Sequence, residues 1–164
     1  MFKKDIPPSN RSKVKSSVQR GLRQKLLETY PGFEPFIEDV MPKKASLEAV
    51  KLPERVTLYT IYSTPLFFQP IDGPPVPHLR LVHAYPSAIP TIQIDRGAIR
   101  FVLSGATLMA PAGQIVGVKA EGKEEICLIG MLKVGTEEIK SKGKGVVMDE
   151  GHYLGDGLWR MHLD

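Results

Sequence analysis

The sequence lacks the features of a membrane or secreted protein. None of its apolar runs approaches the roughly 20 residues that a transmembrane helix needs. The first residues, MFKKDIPPSNRSK, contain no apolar core of a secretory signal peptide. We therefore expect a soluble protein that is not secreted and that works in the cytoplasm.

Cysteine is equally scarce. Cys127 is the single cysteine among 164 residues, so the chain can form neither an internal disulfide nor a cysteine zinc cluster. Its neighbours Ile126 and Leu128 predict a buried strand position, where free cysteines are common. No activating base stands beside it in the sequence, and thiol catalysis needs a stabilised thiolate.

Patterns for catalysis, metal binding or nucleotide binding are also missing. His78 and His83 are five residues apart, and His152 and His162 are ten apart, so neither pair has the spacing of an H-E-x-x-H metal motif. The GKG of residues 143–145 is too short for a phosphate-binding loop. We expect no catalytic residue, no metal and no cofactor, and we assign the histidines structural or surface roles.

The composition is that of a globular protein. Hydrophobic residues make up 42% and charged residues 24% of the chain, which argues against general disorder. A length of 164 residues suits one domain or two small ones. The net charge of +4 is only mildly basic and does not by itself indicate a nucleic-acid partner.

The distribution of charge is more informative than its total. The first 25 residues contain one acid, Asp5, and eight bases, whereas residues 28–39 contain four acids and no base. The bases are Lys3, Lys4, Arg11, Lys13, Lys15, Arg20, Arg23 and Lys25. This asymmetry predicts a positive face able to meet phosphate; a solvated helix face is the alternative.

The N-terminal half reads as helices followed by an antiparallel sheet. Ser9 or Ser12 can cap a helix that runs to about Tyr30. Its apolar stripe is Val14, Val18, Leu22 and Leu26. A second short helix is predicted from the apolar residues of 33–40. Strands are predicted at residues 50–52, 56–61 and 66–69.

Irregular segments are predicted between these elements and the second half. The proline-rich residues 69–77 predict an exposed loop, and residues 78–83 a brief helical turn. We place a domain junction at residues 88–91. Adjacent Phe67 and Phe68 point to opposite sides of their strand, so one of them is a candidate for exposure in a protein interface.

The second half reads as strands with short helical segments. Strands are predicted at residues 91–94, 114–119, 125–131 and 145–148, and helical turns at 96–102 and 136–140. Residues 140–145 predict a basic loop. The chain closes with a turn at residues 155–157, supported by Asp156, and a last strand from Leu158. Trp159 in that strand is interpreted as core, with a base-stacking platform as the alternative.

One stretch carries a family resemblance. In residues 94–111, IDRGAIRFVLSGATLMAP, Arg96 and Arg100 share the exposed side of a short helix that Gly105 ends. The stretch resembles the opening of a PUA domain, a small RNA-binding pseudobarrel. YPGFEP, MPKK, LFFQ, LRLVHAYP, GAIRFVLSGA, AEGK and HYLGDGLW occur in the order typical of one family. It is the translation-machinery-associated PUA family, known in animals as malignant T-cell amplified sequence proteins, here in a fungal-type form.

The resemblance implies both a fold and a function. The implied fold class is α+β, with an N-terminal helix pair and antiparallel sheet over residues 1–90 and a C-terminal PUA pseudobarrel over residues 91–164. The implied function is a non-catalytic translation factor that binds the small ribosomal subunit as a heterodimer with density-regulated protein. Such factors promote tRNA release after termination, ribosome recycling and reinitiation, and their PUA domain is associated with the tRNA acceptor end.

The resemblance also implies which residues meet RNA. The RNA-facing positions carried over to this chain are Arg96, Arg100, Ser104, Gly105, Ala110, Pro111 and Gly113. For the residues at the helix end, Ser104 and Gly105, the alternative is a purely structural role. A second, electrostatic contact to ribosomal RNA is implied for Arg11, Lys13, Lys15, Arg20, Arg23, Lys25, Lys43 and Lys44.

The chain departs from the family pattern after Pro111, where about fifteen residues of a longer loop are missing; a shortened surface loop costs little closure entropy. A natural short form, a splice product and an engineered deletion are equally compatible with the sequence. Two other functions stay open: an RNA-binding accessory subunit or domain of an RNA-modification system, and a PUA-like module that binds only protein.

Overall fold

The computed structural model describes residues 2–7, 9–94, 113–133 and 151–163. These residues mix helices with two sheets. The helices are α1 (Ser16–Thr29), a 3₁₀ helix (Pro31–Phe36), α2 (Ile37–Val40), α3 (Leu79–Ala84) and α4 (Gly157–Arg160), with short 3₁₀ turns at Pro53–Arg55 and Pro86–Ala88. None of the helices in the described part is long and apolar enough to cross a membrane.

The first sheet contains five antiparallel strands in the order of the chain. They are β1 (Arg11–Lys13), β2 (Glu48–Leu52), β3 (Val56–Ile61), β4 (Thr64–Pro70) and β5 (Val76–Pro77). Val56, Leu58 and Thr60 of β3 are buried in alternation, as the period of two in a strand requires. The three strands predicted in this half are confirmed.

Helix α1 begins later than the sequence predicts. Neither Ser9 nor Ser12 caps it, because residues 11–13 form β1 instead. Arg11 pairs with Val50 of β2, and the Val14 N–H donates to the Leu47 carbonyl. Only part of the predicted stripe is buried: Leu26 is fully buried, whereas Val18 is 50% exposed.

Residues 69–77 are not wholly a loop, which corrects the prediction. Val76 and Pro77 form β5 against Phe67 and Phe68 of β4, and both are buried. An edge strand tolerates proline because its outer side needs no ladder hydrogen bond. The Tyr30 hydroxyl fixes the segment by donating to the Pro75 carbonyl at 2.5 Å.

Neither Phe67 nor Phe68 is exposed, so the prediction of an exposed aromatic here is wrong. Phe67 is 0% and Phe68 is 2% exposed, because both faces of β4 are covered. The Phe67 ring contacts Tyr59 with centroids 4.9 Å apart, and the Phe68 ring contacts Phe2 edge-on at 5.1 Å.

Within the described residues, the second sheet contains four strands, and its first pair is parallel. The strands are β6 (Thr91–Ile94), β7 (Ile115–Ala120), β8 (Ile126–Met131) and β9 (His152–Tyr153), in that order. The first three confirm the sequence prediction. Cys127 lies on β8 but is only half-buried, which corrects its assignment as fully buried.

The last element is a helical turn, not the predicted strand. Helix α4 covers Gly157–Arg160, and Asp156 caps it by accepting the Trp159 backbone N–H at 2.8 Å. An aspartate that accepts from the third residue of a helix is a preferred N-cap. Trp159 therefore lies on α4, where its half-buried ring stacks near His78 and beneath the Arg80 guanidinium, 4.8 Å from the ring centroid.

The two sheets share one hydrophobic core. Phe33 and Phe68 from the first half belong to the same cluster of buried side chains as Ile129 and Leu158 from the second. Polar contacts cross between the halves as well: the Gly157 N–H donates to the Phe2 carbonyl at 2.6 Å.

Several predicted features lie outside the described residues. They are the helical turn at 96–102 and the Gly105 that ends it, the helical turn at 136–140, the basic loop at 140–145 and the strand at 145–148.

Candidate nucleic-acid interface

An open groove of about 820 Å³ runs between α1 and the segment that joins α2 to β2. We call it the α1 groove. Four of the predicted RNA-contacting residues line it, namely Arg20, Arg23, Lys43 and Lys44. Ser16, Ser46, Glu28 and Glu34 are among the other polar residues of its wall.

The helix period explains why the two arginines meet at this groove. Arg20 and Arg23 are three residues apart on α1 and are therefore neighbours on its surface. Helix α2 ends at Val40, and the exposed Lys43 and Lys44 follow on the opposite wall. Two basic pairs far apart in the sequence thus come together.

Arg23 is already paired with an acid. Its Nη2 donates a short hydrogen bond to Oε1 of Glu38, and the Lys43 Nζ lies 3.8 Å from the same oxygen. The Arg23 hydrogen bond and charge, with a smaller contribution from Lys43, lower the pKa of Glu38 despite an opposing effect of desolvation. The Arg23 Nε is buried, and no acceptor for it occurs in the described part of the chain.

The other four residues of the predicted basic face are not lining residues of the groove. Arg11 is engaged within the first sheet, where its Nη1 donates to the Ser63 hydroxyl at 2.6 Å and lies 3.5 Å from Glu48. Lys13 and Lys15 are exposed on either side of Val14, which does line the groove. Lys25 is exposed but lies about 140° around α1 from Arg20, since successive helical residues turn by about 100°.

The residues predicted to hold RNA in the C-terminal half are mostly outside the described residues. This applies to Arg96, Arg100, Ser104, Gly105, Ala110 and Pro111. Gly113 is described: it is exposed, its φ of +83° favours glycine, and its N–H donates to the Leu132 carbonyl at 2.8 Å. It lines a cleft of about 550 Å³ together with Gly32 and Ala88.

A buried polar cluster lies where the two halves meet. The Asp156 carboxylate accepts from His152 Nδ1 at 2.9 Å, from the Tyr153 N–H at 3.0 Å and from the Trp159 N–H at 2.8 Å. His152 Nε2 is buried without a hydrogen-bond partner in the described part of the chain. The sequence predicts only a turn role for Asp156, and its spacing of four from His152 is the one signal for this contact.

His78 packs on the same cluster. Its ring centroid is 4.5 Å from that of His152, and its Nδ1 accepts the Arg80 backbone N–H at 3.1 Å. Burial lowers the pKa of His78 well below its usual value, and the nearby His152 adds to this shift. Burial also lowers the pKa of His152, although Asp156 opposes that effect. Both side chains are buried, so the cluster supports the fold, which agrees with the structural role predicted for these histidines.

Metal-binding groups are not assembled among the described residues. No set of three or more His, Cys, Asp or Glu side chains is placed there to hold a metal ion.

Comparison with known proteins gives the family. A Pre-PUA-like domain model matches residues 2–86. Translation machinery-associated protein 20 of Saccharomyces cerevisiae is 44% identical, and the alignment covers the full length of both chains. Malignant T-cell-amplified sequence 1 of Rattus norvegicus is 40% identical over 93% of this chain and 91% of the relative.

Solved structures show the same fold at low sequence identity. A PUA domain protein from Aeropyrum pernix K1 superposes with a TM-score of 0.71 at 22% identity, covering 93% of this chain and 90% of the other. A hypothetical protein from Pyrococcus horikoshii OT3 gives a TM-score of 0.72 at 16% identity, over 92% and 98% of the two chains. The chain therefore has a PUA-like fold.

The yeast alignment also bears on the shortened loop. It spans 182 positions, against the 164 residues of this chain, so at least 18 positions have no counterpart here. This agrees with missing residues inside the family pattern. The yeast relative is named as a translation machinery-associated protein, and neither of the two names is that of an enzyme. With 40–44% identity over nearly its whole length, the chain belongs to the family of translation machinery-associated protein 20 and the malignant T-cell-amplified sequence proteins.

Proposed function

We propose that this protein is a non-catalytic translation factor that binds RNA of the small ribosomal subunit through the α1 groove. The observation that carries the proposal is the meeting of Arg20 and Arg23 with Lys43 and Lys44 on one open surface. Because the chain belongs to a translation machinery-associated family, we take ribosomal RNA as the polyanion that binds this groove. Cations spread along a groove attract a phosphate backbone without reading its sequence.

The C-terminal half would supply a second RNA contact. We propose a domain boundary between residues 90 and 91, supported by the start of β6 at Thr91. Residues 91–164 would form a PUA pseudobarrel that holds the unpaired acceptor end of tRNA. Arg96 and Arg100 would donate to phosphates, while the main chain near Gly105 and residues 110–113 would approach the sugar.

Membership of the family supports a proposal for the partner and the cellular role. We propose a cytoplasmic heterodimer with density-regulated protein that promotes release of deacylated tRNA after termination, ribosome recycling and reinitiation. The α1 groove and the acceptor-end site are on different halves of the chain, so one molecule could contact ribosomal RNA and tRNA together.

Co-sedimentation with small ribosomal subunits tests the proposal. We expect the wild-type protein to pellet with subunits, with or without density-regulated protein. The double variant R20E/K44E should weaken pelleting by about tenfold or more at moderate salt, since each lost phosphate contact reduces affinity. The matched control is K25E, which removes an exposed cation from another side of α1.

Two results would contradict the proposal. Absence of the wild-type protein from the subunit fraction under both conditions would remove the ribosomal function. Equal weakening by K25E and by each groove substitution would show that total charge, and not the groove, governs binding. For the second contact, R96E/R100E should lower tRNA affinity and its salt dependence; unchanged values would favour a module that binds only protein.

A further inference from the structure

The geometry points to a phosphate position formed by Arg23 and Lys43, two residues that line the α1 groove, and occupied by the carboxylate of Glu38 until RNA displaces it. This inference rests on the proposed function, because it takes RNA as the ligand of the groove. It adds an internal competitor that sets how strongly the groove binds.

Glu38 is placed as a substitute for a phosphate oxygen. One oxygen, Oε1, accepts from Arg23 Nη2 and also faces Lys43 Nζ at 3.8 Å. The Glu38 side chain is 62% exposed, whereas that of Arg23 is 17% exposed. The anion can therefore leave towards solvent, while the cation it neutralises stays within the protein.

The Arg23 guanidinium is only partly used in this arrangement. Nη2 has its acceptor in Glu38, but the buried Nε has none among the described residues. A buried donor without an acceptor is unfavourable. A phosphate group can accept from two nitrogens of one guanidinium at once. Exchange of the carboxylate for a phosphate could thus satisfy a donor that Glu38 leaves unpaired.

The amino end of α1 adds positive potential to the same groove. Ser16, the first residue of the helix, lines the groove. Among the described residues, no side chain caps this end, and its first turn contains no acid. The partial positive charge of a helix N-terminus favours anions nearby. Together with Arg20 and Lys44, it extends the favourable region beyond the space that Glu38 fills.

These features favour a polyanion over a single small anion. Displacing Glu38 gives up its pairing with Arg23 and Lys43, and an isolated phosphate ion restores that pairing and gains only the contact with the Arg23 Nε. An RNA strand places further phosphates beside Arg20 and Lys44, where Glu38 itself does not reach. We therefore expect Glu38 to weaken non-specific binding of short anions and to yield to an RNA backbone.

The test compares two neutralising substitutions, one of the carboxylate that pairs with Arg23 and Lys43 and one of a carboxylate on the groove wall. E38Q removes the competitor, whereas E28Q removes a groove carboxylate that accepts only from Gln24 in the described contacts. Both raise the net charge by one. Fluorescence anisotropy with a labelled 20-nucleotide single-stranded RNA should show about fivefold tighter binding for E38Q and less than twofold for E28Q. The log–log salt dependence of E38Q should steepen by about 0.7 for each additional phosphate that the variant neutralises.

Equal RNA affinities of E38Q and E28Q would contradict the role of Glu38 as a competitor of RNA. The proposed function would be unaffected by this result if the wild-type protein still pellets with ribosomal subunits. The absence of RNA binding by both variants would overturn the phosphate position itself. A polyglutamate peptide serves as the second probe: an equal rise in its affinity for E38Q would make the position a general anion site and overturn its assignment to RNA. E38A should reproduce E38Q, and unchanged melting temperatures would show that both variants are folded.

Discussion

At the scale of the residue, Asp156 organises the junction of the two halves. Its carboxylate is 1% exposed and accepts three hydrogen bonds, one from a histidine ring and two from backbone N–H groups. A buried carboxylate is stable only when its charge is compensated in this way. The residue that the sequence suggests is a turn former therefore holds β9 and α4 together.

Replacing Asp156 by asparagine should destabilise the fold strongly. The new amide group would present donors where His152 Nδ1 and the Tyr153 N–H also donate. We expect a loss of about 2–4 kcal/mol in the free energy of unfolding, measured by urea denaturation. D5N is the control, because Asp5 is exposed and pairs with Arg160 on the surface; it should change stability by less than about 0.5 kcal/mol. A mild effect of D156N would contradict the organising role.

The pair His78 and His152 should make stability depend on pH. Both pKa values are lowered in the fold, so the unfolded chain binds more protons once the pH falls below about 6.5. His152, Arg80 and His83 all disfavour charge on His78, and only Asp156 favours charge on His152. We expect the free energy of unfolding to be fully retained above pH 7 and to fall between pH 6.5 and 5.

Denaturation midpoints at several pH values measure this slope. H78Q should flatten it, even if the variant is less stable at every pH. The exposed His162 provides the matched control, and H162Q should leave the slope as it is in the wild type. An equal slope in all three proteins would place the pH dependence elsewhere.

At the scale of the element, periodicity predicts the long segments and fails at short ones that tertiary contacts decide. The strands β3, β4, β7 and β8 follow from runs of branched and aromatic residues. Strand β1 does not, because its three polar residues are extended only through pairing with β2. Likewise, the two residues of β5 become a strand because β4 offers a free edge.

The candidate site also combines features that the sequence predicts with contacts that only the tertiary structure creates. The family resemblance groups the cations of the α1 groove in one electrostatic contact, but no local sequence pattern shows that residues 20–23 and 43–44 face each other. The Arg23–Glu38 contact joins α1 to α2 across 15 residues, which no local pattern marks. The fold alone brings these groups together.

Two glycines of the first half should respond oppositely to alanine. Gly21 lies within α1, and no atom from elsewhere in the described part of the chain lies within 4 Å of an added Cβ, so G21A should stabilise the protein by about 0.5–1 kcal/mol. A Cβ on Gly32 would lie 2.3 Å from the Ala88 carbonyl oxygen. G32A should therefore separate the 3₁₀ helix from the turn at residues 86–88 and lower stability by about 1–3 kcal/mol. Thermal denaturation of the two variants checks the signs; a stabilised G32A would contradict the close approach.

At the scale of the whole molecule, the halves are joined by a common core and by the first residues of the chain. Phe2 is 5% exposed and packs on Phe68 of the first sheet and on His152 of the second. Its carbonyl accepts the Gly157 N–H. A residue at the second position of the chain thus contacts both sheets.

Removal of the Phe2 ring should weaken both sheets together. We expect F2A to cost about 3–5 kcal/mol and to reduce hydrogen-exchange protection in β3 and in β8 alike, since the core is shared. I71A removes a large apolar side chain that is 65% exposed and should leave protection unchanged. Loss of protection in one sheet alone would show that the sheets open independently.

The position of Trp159 has a practical consequence. It is the only indole in the chain, and it lies on α4 against side chains of α3, including Arg80 and His83. Its intrinsic emission therefore reports on one place, the junction of the halves, without an attached dye. A nearby guanidinium and an imidazole both influence an excited indole, so separation of α4 from α3 should change the intensity and the wavelength maximum before the backbone signal is lost.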